Sequence, residues 1–139
     1  MSILHPVFVL VALTGVTLFR LARGRLRALQ SGEASLGYFS TYQDGREPEH
    51  TRVLARHYDN LFQAPLLFYV AALVVLITGR ETATTLALAW AYVALRIVHS
   101  VIHTGRNDVA WRFRVFALSW VALLALWAVI AAGELGGAR

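Results

Sequence analysis

Four long apolar runs alternate with short polar stretches along the chain. They cover residues 3–22, 52–78, 82–104 and 112–132. An α-helix needs about 20 residues to cross the hydrocarbon core of a bilayer, at about 1.5 Å per residue. The pattern therefore predicts an all-α integral membrane protein: one domain over residues 1–139, built as an up-down-up-down four-helix bundle. The short polar stretches at 79–82 and 105–108 read as tight turns between antiparallel helices. Residues 31–49 carry Gly32, Gly37, Gly45 and Pro48 and read as the longest loop. Tyr38, Phe39 and Tyr42 suit that loop to the membrane interface. Pro65 falls inside the second run, where a proline removes a backbone hydrogen bond and bends a helix, a defect that membrane helices tolerate.

Two of the predicted helices carry a polar stripe. On the second, Arg52, Arg56, Asp59, Asn60 and Gln63 share an arc of roughly 100° at 3.6 residues per turn. On the third, Tyr92, Arg96, His99, Ser100 and His103 fall within a similar arc of roughly 100°. Ionisable groups inside a membrane must face protein or a water-filled cavity. The stripes thus predict a pocket or an interhelical contact.

Composition agrees with a membrane setting. The chain is 58% hydrophobic and only 15% charged, with mean hydropathy +0.56; a soluble domain has about 25% charged residues. There is no cysteine, which excludes disulfides and thiolate chemistry from the protein itself. All 13 basic residues are arginine, and the formal net charge is +5. Their positions fit membrane topology rather than nucleic-acid binding, so no nucleic-acid partner is expected. Ten arginines (Arg20, Arg23, Arg25, Arg27, Arg46, Arg52, Arg56, Arg106, Arg112 and Arg114) flank one side of the four runs, against Arg80 and Arg139 on the other. The positive-inside rule then places both termini on the non-cytoplasmic side. The first run has no basic residue before it and no small-x-small cleavage site, so it reads as a span and not as a signal peptide. The cluster Arg20 to Arg27 reads as a cytoplasmic flank held by anionic lipid, with a ligand-gathering patch as the alternative.

The candidate chemistry lies at the arginine-rich end. Arg56, Arg96 and Arg112 come from three different spans at similar depth, with only Asp59 and Asp108 near them in sequence. A guanidinium matches a carboxylate or phosphate with two parallel hydrogen bonds. An anionic ligand is one reading; interhelical ties and lipid headgroup contacts are the other. His99 and His103 stand one turn apart, but there is no HExxH pattern and no third carboxylate at metal spacing, so no metal is expected. The absence of an internal repeat and of an acidic relay argues against a transporter.

The stretches RHYDNLFQAPLLFY and LRIVHSVIHTGRNDVAWRFRVF resemble the signature blocks of the membrane-associated proteins in eicosanoid and glutathione metabolism, the MAPEG family. The first resembles the block of an arginine, N-x-x-E, a proline and an apolar run. The second resembles R-x-x-H and the basic helix start that follows it. The resemblance implies a homotrimer that binds glutathione between subunits near the cytoplasmic side, and a lipophilic small-molecule substrate. By position it implies cofactor-binding roles for Arg56, Asn60, Gln63, Arg96, His99 and His103, and a catalytic role beside the thiol for Arg112. Gln63 replaces the family glutamate, His103 stands where some members have tyrosine, and Phe116 replaces a tyrosine that helps the thiol in active transferases. The activity is thus left open between glutathione transferase, peroxidase and binding alone. The alternative function is a non-catalytic membrane scaffold whose polar stripes lock a homo-oligomer. The expected location is a bacterial inner membrane, as a multi-pass protein in the lipid bilayer.

Overall fold

The computed structural model describes residues 2–42 and 47–136, with side chains as far as Gly133. Arg46 and Arg139, both part of the charge asymmetry, lie outside the described residues. Among the described residues every regular element is helical: α1 (Leu4–Gln30), α2 (Leu36–Thr41), α3 (Glu49–Thr78), α4 (Ala83–Thr104) and α5 (Val109–Gly136). The four long helices are each long and apolar enough to cross a membrane.

Their boundaries follow from local chemistry. Thr82 caps α4 through a capping box with Thr85, each side chain accepting the other's backbone N–H, which satisfies two of the amides a helix start leaves open. Gly79 closes α3 in the left-handed conformation at φ 65°, where a glycine carries no Cβ penalty. Asp108 Oδ1 accepts from the backbone N–H of Trp111 at 3.0 Å, so α5 begins at Val109, before the predicted residue 112. At the other boundary α1 does not stop at residue 22. It continues through the arginine-rich stretch to Gln30, whose Arg, Leu and Ala residues are good helix formers. Pro65 is buried within α3, which stays helical on both sides of it.

The stretch 31–49 is not wholly a loop. Ser35 accepts from the Tyr38 N–H and starts α2, and Tyr42 ends it in the left-handed region at φ 56°. Arg25 on α1 holds this connection down. Its Nε donates to Glu47 at 2.9 Å, and its guanidinium lies 5.1 Å from the Phe39 ring centroid and 5.6 Å from that of Tyr42.

The helices alternate in direction. Ser2 Oγ, at the start of α1, donates to Glu81 in the α3–α4 turn at 3.3 Å, while Arg20 Nη1 reaches Thr104 Oγ1 at the far end of α4 at 3.3 Å. The most extensive interhelical contact is α4 with α5, and α3 and α4 each touch both α1 and α5. The core at the terminal end is apolar: Leu10, Phe68, Val75, Val93, Leu123 and Leu126 are fully buried, and Phe68 stacks on Tyr92 at 4.9 Å. Ala64, Ala71, Ala72, Ala89 and Ala122 are also buried, and such small residues let membrane helices approach closely. The outer surface is apolar too, with Phe8, Phe19, Leu66, Ile77, Val121 and Leu124 exposed. Exposed apolar surface on this scale suits lipid rather than water.

Candidate functional site

Toward the arginine-rich end the core changes character. The α4 stripe turns inward as its spacing predicts: Tyr92, Arg96, His99, Ser100 and His103 are all buried. Arg96 is fully buried at 0% exposure. Its Nη2 donates to the Asn60 carbonyl oxygen on α3 at 3.0 Å, and its guanidinium lies 5.9 Å from the Phe116 ring centroid on α5. Arg96 Nε and Nη1 have no hydrogen-bond partner among the described residues.

In front of Arg96 a cleft of about 320 Å³ opens between α3, α4 and α5. Arg56 and Asn60 line it from α3, His99 and His103 from α4, and Arg112, Phe113 and Phe116 from α5. Asn107, in the turn before α5, completes the wall near Arg112. It adopts the left-handed region at φ 53°, which asparagine tolerates better than most residues. From there its side-chain oxygen accepts a short hydrogen bond from Arg112 Nη1, fixing that guanidinium at the rim. Among the described residues no carboxylate lines the cleft. Its charge is therefore positive, which suits an anionic occupant.

A model of the MAPEG family matches residues 3–132. The chain belongs to the MAPEG family. No curated protein and no solved structure is similar enough to match it.

Five of the seven residues that the MAPEG resemblance marks, namely Arg56, Asn60, His99, His103 and Arg112, line this one cleft. The other two stand apart. Arg96 lies behind the cleft, tying α3 to α4. Gln63 is exposed and does not line the cleft. The α3 stripe explains this split: Arg52 and Asp59 face a second cleft of about 590 Å³ between α1, α2 and α3, with Arg25, Tyr38, Tyr42 and Glu47. Arg56 lines both clefts. The second cleft is larger, but Glu47 and Asp59 offset part of its positive charge.

Phe116 sets what the cleft wall can offer. It lines the cleft and packs 5.8 Å from His99, ring centroid to centroid, so no hydroxyl reaches the cleft from that position. Arg112 is left as the fixed cation at the rim.

Two further residues belong to this region without a marking pattern in the sequence. Asn107 lies in a stretch whose composition indicates only a turn. His57 sits on α3 among Leu54, Leu61, Ala64 and Phe68, all buried, and their spacing marks the core face of the helix rather than its polar stripe. His57 is fully buried, and its ring lies 5.8 Å from His99 and 5.1 Å from His103. The available signal was a histidine at a core position one residue from the stripe.

Proposed function

We propose that this MAPEG protein binds glutathione in the cleft between α3, α4 and α5. The observation that carries the reading is a cleft walled by Arg56, Asn60, His99 and Arg112 with no carboxylate among its lining residues. Glutathione offers two carboxylates, and guanidinium forks match them. A volume of about 320 Å³ falls at the lower end of the roughly 300–1,000 Å³ usual for small-ligand sites. Gln63 is exposed on α3 outside both clefts, and Arg52 and Asp59 are exposed at the second cleft. In a homotrimer that surface is available to a neighbouring protomer, which would complete the site around the ligand.

The chemistry that fits is thiolate stabilisation. A positive charge beside a thiol lowers its pKa and raises the thiolate fraction. Arg112, held by Asn107, would do this for the glutathione sulfur, which would then attack a lipophilic electrophile from the bilayer, forming a carbon–sulfur bond as the leaving group (halide, for an aryl halide) departs. The protein contributes position and charge, and the nucleophile comes from the cofactor. With Phe116 in place of a hydroxyl donor, slow transfer or binding alone is expected. Saturable binding of glutathione to the detergent-purified protein, together with its conjugation to a lipophilic aryl halide, tests the reading. Binding without conjugation would keep the site and remove the transferase, and no binding would remove both.

The scaffold reading has one observation in its favour. Arg96 spends its hydrogen bond on the Asn60 backbone, joining α3 to α4. It predicts a stable oligomer that ignores glutathione.

A further inference from the structure

At one wall of the cleft three histidines meet. His57 comes from α3, and His99 and His103 come from successive turns of α4. The ring centroids form a near-equilateral triangle with sides of 5.8, 5.1 and 5.4 Å. One nitrogen from each ring can be chosen so that all three lie within 4.8 Å of one another. All three residues are at least 96% buried, and both nitrogens of His57 and the Nδ1 atoms of His99 and His103 have no hydrogen-bond partner among the described residues. Leaving a buried polar group unpaired is destabilising. Ring packing alone leaves that cost in place at several atoms.

We propose that His57, His99 and His103 form a three-histidine site for a divalent transition-metal ion of the zinc type, with its open coordination position toward the cleft. The geometry agrees with this. In a tetrahedral site with metal–nitrogen bonds of about 2.0–2.1 Å, each imidazole centroid stands about 3.2 Å from the metal, so paired centroids stand about 5.2 Å apart. The observed sides are close to that. The nitrogens themselves would stand about 3.3 Å apart in such a site. Closing from 4.8 Å or less therefore takes side-chain rotation rather than movement of the helices.

The direction of the open position follows from the lining. His99 and His103 line the cleft, whereas His57 does not and has 0% exposure. A metal held by the three rings has protein behind it and the cleft before it. Three histidines plus one exchangeable position is the ligand set of catalytic zinc rather than of a closed structural site. The ligand type also selects the ion: imidazole suits zinc, copper, nickel and iron, while magnesium and calcium require oxygen. Arg96, Arg112 and Arg56 disfavour a bare dication in this cluster. They favour one that carries an anionic fourth ligand, such as hydroxide or a thiolate.

The test needs no thiol, so its outcome is independent of the glutathione reading. Full-length protein without a histidine tag is purified in detergent, stripped with a chelator and titrated with Co²⁺, following the visible absorption of the four-coordinate ion. One Co²⁺ per protomer is expected, displaced by Zn²⁺. His57→Phe keeps a buried ring and should weaken Co²⁺ binding by at least about a hundredfold, since loss of an outer-shell partner alone costs about 10–100-fold. His50→Ala, at an exposed position, should leave the titration unchanged. X-ray absorption on the zinc-loaded wild type counts the imidazole ligands directly and does not depend on any variant folding. No four-coordinate Co²⁺ signal in folded wild type, an unchanged titration in folded His57→Phe, or fewer than three imidazoles around zinc would each overturn the site.

Discussion

Gly24 is where the packing of α1 on α3 is most sharply testable. It is buried, and a Cβ built on it would stand 2.8 Å from Thr51 Cγ2 on α3. Carbon atoms in contact prefer about 3.5–4.0 Å, so Gly24→Ala closes that contact by roughly 1 Å too much. Thr51 cannot turn aside freely. It is fully buried, and its hydroxyl donates to the Pro48 carbonyl at 2.7 Å. Overpacking of this kind costs about 1–3 kcal/mol. Replacing a helical glycine by alanine returns about 1 kcal/mol, which leaves a net loss of about 0–2 kcal/mol. The decisive quantity is the coupling with Thr51→Ser, which keeps the hydroxyl and removes Cγ2. In that background the clash is gone, and Gly24→Ala should stabilise by about 1 kcal/mol. The double-mutant cycle should therefore show about 1–3 kcal/mol of interaction. It is read by SDS-induced unfolding in mixed micelles, followed by helical circular dichroism. Gly133→Ala serves as the control. There the new Cβ would meet Arg80 Nη1 at 2.6 Å, the end of a long side chain that can shift, so little or no loss is expected. An identical effect of Gly24→Ala in both backgrounds would refute the close α1–α3 contact.

Three further outcomes follow from the same geometry. A reporter fused at Arg139 should be active on the non-cytoplasmic side, because the arginines gather at the opposite end of the bundle; activity only in the cytoplasm would reverse the orientation. Glu47→Gln removes the charge that Arg25 holds at 2.9 Å, where the Glu47 side chain is only 3% exposed. It should cost about 1.5–3 kcal/mol locally and speed protease cutting near α2 before any global melting, whereas an unchanged cutting rate would mean that the pair does not anchor α2. Native mass spectrometry in mild detergent should show a trimer, and a monomer would argue against a site shared between neighbouring protomers.

The spans were legible because length and apolar composition alone decide them. So was the inward turn of Tyr92, Arg96, His99, Ser100 and His103, since a stripe at helical spacing has one buried solution. Less was legible where tertiary contact decides. Helix α1 runs on to Gln30 because its basic residues are good helix formers, and α2 forms where Ser35 caps it and Arg25 holds Tyr42 and Phe39. The α3 stripe reads as one surface in sequence, but α1 packs close enough to divide it between two clefts, leaving Gln63 outside both. Arg96 matches a ligand position in sequence; the fold commits its Nη2 to the Asn60 carbonyl and leaves Nε and Nη1 without a partner among the described residues. His57 was hidden because a histidine at a core position has the same periodicity as the leucines around it.

Titration of glutathione into the detergent-purified protein and its Arg112→Ala and Gln63→Ala variants, with a melting curve for each, tests the central claim most directly. Loss of a charged hydrogen bond costs about 1.5–3 kcal/mol, about a tenfold to hundredfold loss of affinity. The account predicts saturable binding to the wild type, a loss of that size in folded Arg112→Ala, and a smaller loss in Gln63→Ala, which on this account would reach the ligand from a neighbouring protomer. Equal affinity in wild type and folded Arg112→Ala, or no saturable binding to the wild type, would contradict it.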